Sequence, residues 1–183
     1  MSDEHKKGLD ESRATEWKKW MDFGAGVKVQ GEMLDELIGE GHRPIPMQWI
    51  DTDQNEHLIR PGVKHAPKFK SRLVGCEQFE DRAGIRSDSP TCDVEGLNLV
   101  CSFASCGKLR LKCSDLRNAY FNGLPLDRLL LMWPPKGGLP GKGHDKCAIA
   151  SNLPIYGTGD AGRRFYKAFR QKCLDVGLFE KEI

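Results

Sequence analysis

An α+β fold is predicted for this chain, and three observations carry it. Residues 108–114 alternate strictly, with Leu109, Leu111 and Cys113 on one side and Arg110, Lys112 and Ser114 on the other. That period of two marks a strand buried on one face. Residues 67–75 (PKFKSRLVG) read as a second strand anchored by Phe69, Leu73 and Val74. Residues 93–106 and the stretch that follows the glycine-rich bend at 156–162 and runs to about Asp175 instead repeat their apolar positions with the spacing of a helix.

At 183 residues the chain suits one domain, or one domain and part of another. Its 39% hydrophobic and 30% charged residues fit a soluble globular protein rather than a disordered one. The net charge of +2 hides an asymmetry. Residues 1–56 hold 7 Lys and Arg against 13 Asp and Glu, so the remainder carries +8. A basic remainder suggests a polyanionic partner. No apolar run approaches the ~18 residues of a membrane span, and the opening MSDEHKKGLDE is no secretory leader. An intracellular protein without membrane contact is expected. Seven scattered cysteines, with no Cys-x-x-Cys and no histidine at zinc spacing, read as reduced and mostly buried thiols.

Residues 1–12 are polar and expected to be disordered. Residues 11–23 form a short amphipathic helix with Ala14, Trp17, Trp20 and Met21 near one face, stopped by Gly24. Residues 27–40 read as a possible strand, VKVQG, and a helical turn or two, EMLDELIGE. Residues 47–53 (MQWIDTD) read as a strand entering a turn at residues 51–55. Residues 57–76 contain no acidic side chain and carry Arg60, Lys64, Lys68, Lys70 and Arg72. Such a stretch suits a triphosphate or a nucleic-acid backbone, and equally an edge strand protected by its lysines.

After a polar loop, residues 93–106 place Leu97, Val100, Cys101 and Ala104 on one helical stripe ended by Gly107. The helix feeds the alternating strand. Asp115 ends that strand, and residues 118–123 turn the chain away. A carboxylate there is either a metal ligand beside a nucleotide pocket or the cap of the next turn. Residues 128–133 and 147–154 supply two further short strands. The intervening GGLPGKGHD fails as a phosphate loop, since Lys136 and Gly143 stand where Gly and Ser or Thr are required. A glycine-rich bend, residues 156–162, starts the last helix. Phe165, Ala168, Phe169 and Cys173 form its apolar stripe, and Arg163, Arg164, Lys167, Arg170 and Lys172 its basic faces. Basic faces of this kind serve either solvation or nucleic-acid contact.

Four segments in this order resemble the reverse transcriptase of copia-type retrotransposons: residues 69–74 (FKSRLV), 87–91 (SDSPT), 114–123 (SDLRNAYFNG) and 154–157 (PIYG) leading into a helix with Phe165 and Tyr166. Residues 17–21 (WKKWM) and 49–53 (WIDTD) look like the same family's N-terminal segment. The resemblance spans roughly residues 10–180. It implies the fingers and part of the palm of a right-hand polymerase, an antiparallel sheet with packed helices. Residues 1–12 would be a disordered N terminus, 13–107 fingers-like, and 108–183 a partial palm.

By the same resemblance, Asp115 is the first catalytic aspartate, and with the carbonyl of Leu116 it binds Mg2+, two ions of which serve the intact enzyme. Two hard cations about 4 Å apart activate the primer hydroxyl and stabilise the leaving pyrophosphate. Asn118 and Ala119 would lie under the triphosphate, and Tyr120 would exclude a 2′-hydroxyl. Lys70 and Arg72 would cover the incoming phosphates, and Gly157 would belong to the nucleotide-binding bend. Arg60, Lys64, Lys68, Arg163, Arg164, Lys167 and Arg170 are the expected nucleic-acid contacts. The implied partners are an RNA template, a DNA primer, deoxynucleoside triphosphates and the remainder of a retroelement polyprotein. The implied location is a cytoplasmic particle or the nucleus.

Two departures qualify the resemblance. The family's Tyr-Gly-Leu-Lys-Gln-Ala-Pro bend is here Tyr-Gly-Thr-Gly-Asp-Ala-Gly, residues 156–162. The family's Tyr-x-Asp-Asp hairpin does not occur, and no Asp-Asp pair exists in the chain. One carboxylate cannot hold two ions in a dry site. The chain is therefore expected to be a truncated polymerase fragment, inactive alone. The alternative is a non-catalytic, nucleic-acid-binding remnant of a retroelement.

Overall fold

Two tryptophans three residues apart on one helix face, and short strands of small or branched apolar residues, build the core. The computed structural model describes residues 3–177 apart from 64, 82, 142 and 145. The helices are α1 (Asp3–Asp22), α2 (Glu32–Gly39), α3 (Val94–Cys106) and α4 (Ala161–Asp175). The strands are β1 (Val27–Gln30), β2 (Ile45–Asp53), β3 (Phe69–Gly75), β4 (Leu130–Trp133) and β5 (Cys147–Ser151). They form one sheet in the order β1-β5-β4-β2-β3, so strands from before and after α3 share it.

The fold is α+β, as expected, but the sheet is mixed rather than antiparallel. β2 and β4 run parallel, with Ile45 opposite Met132 and Pro46 opposite Trp133, while the other pairs are antiparallel. A parallel neighbour requires a long crossover. Here the chain leaves β2 through β3, α3 and residues 107–129 before returning as β4. The main core lies on one face of the sheet, where Trp17 and Trp20 of α1 join Ile45, Met47, Leu73, Met132, Ile149, Phe121 and Ile155. On the other face, Leu34 and Leu37 of α2 cover Val29, Leu131, Ala148 and Ala150. All five residues of β5 are buried, which explains its unbroken run of small residues, CAIAS.

Helix α1 begins at Asp3 rather than near Glu11, which corrects the expectation of a disordered start. Asp3 and Glu4 occupy the positive end of the helix dipole. The His5 ring meets Phe69 edge-on at 5.7 Å, and the Ser71 N–H donates to Ser12 Oγ at 2.8 Å. Contact with β3 thus orders the first turns.

The larger correction concerns residues 108–114. They form no strand, and Leu109 and Leu111 are each 58% exposed. Alternation prepares a segment for pairing, but ladder hydrogen bonds need a second strand, and no described residue supplies one. The stripe on α3 is likewise open, with Leu97 and Val100 exposed and Ala104 alone buried in that helix. Four of the seven cysteines, Cys92, Cys101, Cys106 and Cys113, are exposed, so the thiols are free but not mostly buried. Among the described residues no helix is long and apolar enough to cross a membrane.

The β2–β3 connection is clasped by Asp53, whose carboxylate pairs with His65 and accepts the N–H groups of Lys68 at 2.8 Å and Asn55 at 2.9 Å. Desolvation raises the Asp53 carboxyl, but His65 and the two amides outweigh it and hold it at about 2, against an ordinary 3.8. The clasp is therefore complete above about pH 4 and is lost as pH falls towards 2. Amide exchange at Asn55 and Lys68 is expected to accelerate over that interval, and Asp53→Asn to show fast exchange already at pH 7. Unchanged exchange in the variant would show that the turn holds itself.

Candidate nucleotide-binding cavity

Strand pleating places Lys70 and Arg72 together on the exposed face of β3, while Ser71 and Leu73 point into the core. Opposite them the chain emerges from the unpaired stretch at Asp115 and Leu116 and turns sharply. Asn118 takes a left-handed backbone (φ 53°), a conformation asparagine tolerates. Its carbonyl accepts from Asn122 Nδ2 at 3.0 Å. A short 3-10 turn, Tyr120–Asn122, then buries Phe121 against Trp20 and Phe23, with ring centroids 5.6 and 5.3 Å away. With Phe121 anchored in the core, Tyr120 is left at the rim. Its ring lies 4.6 Å from that of Tyr156, and the Arg72 guanidinium sits 4.8 Å from the Tyr156 centroid.

These parts enclose a cavity of about 1000 Å³. One wall is Lys70 and Arg72, another the run from Asp115 to Tyr120, and a third Tyr156 with Phe165, Tyr166 and Phe169 of α4. Glu16 and Lys19 of α1 close it. Four cations (Lys19, Lys70, Arg72 and Arg117) thus face two carboxylates, and five aromatic rings face the same space. Cations beside aromatic faces are the chemistry of a phosphorylated aromatic ligand. Burial raises the Tyr156 hydroxyl, and the charges of Glu16 and Asp115 add to this against the lowering effect of Arg72. Tyr156 therefore stays a neutral donor.

Of the residues expected from the sequence, Lys70, Arg72, Asp115, Leu116, Asn118, Ala119 and Tyr120 line this one cavity. Gly157 does not. It lines an adjoining groove that shares Arg72, Tyr120 and Tyr156. Arg60 and Lys68 are exposed on the β2–β3 connection, and Lys64 lies outside the described residues. Arg163 is paired with Asp88, and Arg164 with Asp127 and Asp160, so both guanidinium groups are already engaged. Lys167 and Arg170 are exposed on α4.

The cavity does not fit a two-ion metal site. Among the described residues no group of three or more His, Cys, Asp or Glu side chains is arranged to hold a metal ion. Asp115 is exposed, and the other carboxylate of the cavity, Glu16, is bound by Lys19.

Sequence reasoning missed Glu16, Lys19, Phe165 and Phe169 as lining residues. Glu16 and Lys19 flank the buried tryptophans at a spacing of three, which was a usable signal that this side of α1 faces the interior. Comparison with protein-family models, curated proteins and solved structures finds no match to this chain.

Proposed function

We propose that the chain is the fingers and partial palm of a copia-type reverse transcriptase, and that its cavity receives the incoming deoxynucleoside triphosphate. The observation that supports this most is the convergence of residues 70, 72, 115, 116 and 118–120, far apart in the chain, on one cationic and aromatic cavity. The intact enzyme would copy RNA into DNA with two Mg2+ ions. Residues 108–114, which alternate in sequence but have no partner strand among the described residues, are consistent with a palm completed by further chain. In this reading Arg72 and Lys70 take the phosphates, the backbone at Asn118 and Ala119 underlies them, and Tyr120 packs below the sugar.

Titration calorimetry with dATP and ATP tests the assignment. The chain is expected to bind dATP more tightly than ATP. Arg72→Ala should weaken dATP about tenfold, the loss of one charge-assisted contact. Tyr120→Ala should narrow the preference for the deoxy sugar. No saturable dATP binding would sink the proposal.

A second reading, non-catalytic binding of nucleic acid, draws on edge strand β3 with its exposed Lys70 and Arg72 and on Lys68 just before it. The salt bridges of Arg163 and Arg164 weaken its helical half. Steeply salt-dependent capture of an oligonucleotide, without preference for free dATP, would favour it.

A further inference from the structure

The α1 wall of the cavity has a use that the β3 and palm-side residues do not account for. Three Lys–acid pairs run along α1. In Lys7–Glu11 and Lys18–Asp22 both partners are open to solvent, with side chains 80% and 68%, and 74% and 57%, exposed. The Glu16–Lys19 pair is different. Lys19 Nζ lies 3.0 Å from Glu16 Oε2, and the carboxylate side chain is 6% exposed while the lysine is 41% exposed. Both line the cavity.

A carboxylate withdrawn from water is costly unless a cation compensates it. The pair therefore presents an accessible ammonium in front of a hidden carboxylate. Lysine normally loses much rotamer freedom when it binds a ligand. Here Glu16 has already fixed the side chain, leaving the two other N–H donors of Lys19 free to turn towards the cavity.

On the reading of the cavity as a nucleotide site, we propose that Lys19, positioned by Glu16, is a phosphate ligand that selects nucleoside triphosphates over monophosphates. Lys70 and Arg72 on β3 suffice for one phosphate group. A tail long enough to reach from β3 to α1 engages Lys19 as well. The cavity volume, at the upper end of the range for small-molecule sites, leaves room for such a tail.

Calorimetric titration of the chain and two variants with dATP and dAMP tests this. Lys19→Gln is expected to weaken dATP about tenfold and to change dAMP less than twofold. Glu16→Gln separates positioning from net charge. Removing a negative charge should tighten binding of an anion if charge alone matters, whereas releasing Lys19 should weaken dATP about threefold. Weaker dATP in both variants, with dAMP held, supports the proposal. A Lys19→Gln variant with unchanged dATP affinity, equal losses for both nucleotides, or tighter dATP binding by Glu16→Gln would overturn it. If the wild-type chain binds no dATP at all, the nucleotide reading fails and this inference with it. Thermal unfolding of both variants within a few degrees of wild type is also expected, and a collapse of either would reassign the pair to folding.

Discussion

Replacing Gly157 by alanine is expected to destabilise the chain by about 3 kcal/mol, the sum of backbone strain and local overpacking. Gly157 has φ +81°, and a Cβ there would overlap the Gly75 carbonyl oxygen while standing 3.3 Å from Val74 Cβ. The approach is close because the Gly75 N–H donates to the Tyr156 carbonyl at 2.9 Å, stitching the bend to the end of β3. Alanine must adopt a left-handed conformation and also push two backbones apart. A loss of that size is a large fraction of the 5–15 kcal/mol that holds an ordinary domain together. Gly159→Ala is the matched control, since its nearest neighbour would be Ile85 Cγ2 at 3.8 Å. Urea unfolding should shift strongly for the first and little for the second. Because the same bend carries Tyr156 beneath Arg72, Gly157→Ala should also lower dATP affinity. Equal stability of the two variants would mean that the bend yields freely, and that contact with β3 does not require a glycine here.

Gly157 also shows which parts of the molecule were legible in the sequence. Its resemblance-based role was nucleotide contact, yet its conformation and its contact with Gly75 give it a structural task, and a residue type alone does not separate the two. The strands β2, β3, β4 and β5 and the helices α3 and α4 follow from periodicity and turn chemistry, which act over a few neighbouring residues. Lys70, Arg72 and the run 115–120 converge because a motif's order along the chain carries geometry that no single residue does. Residues 108–114 defeat the same logic. Their alternation is as regular as that of β3, but β3 has β2 to pair with, Thr52 opposite Lys70 and Ile50 opposite Arg72. Pairing is a property of two segments, and a sequence pattern describes one. The same limit hid the fate of Arg163, whose partner Asp88 lies on a distant loop. Charge is readable in sequence, whereas its neutralisation is not.

Arg128 makes the strongest case for neutralised charge, and Arg128→Met is expected to cost about 3 kcal/mol at neutral pH. Its guanidinium binds Glu80, and it donates to Asp160 through Nη1 at 2.8 Å and Nη2 at 3.1 Å. Glu80 and Asp160 are each 6% exposed. Glu80 also accepts the Gly159 N–H at 3.3 Å, and Asp160 precedes the first turn of α4. The cluster thus fixes the helix that forms the aromatic wall of the cavity. Methionine fills much of the arginine stem but leaves two buried carboxylates with, among the described residues, Arg164 as the one remaining paired cation, which reaches Asp160 at 3.3 Å. Burial raises the Asp160 carboxyl, but Arg128 and then Arg164 outweigh it and hold it below its ordinary 3.8. A carboxyl depressed by folding contributes stability above the unfolded value and loses it as pH falls through the folded one. The gap between wild type and Arg128→Met should therefore be widest near pH 7 and narrow below about pH 4. Chemical denaturation at several pH values measures it. A gap that stays constant with pH would assign the loss to packing, and a gap near zero would show that the carboxylates do not depend on Arg128 for compensation. If the narrowing gap is found, Asp160 belongs to a scaffold of charge. It sets the position of α4, and through α4 the width of the cavity that this helix walls.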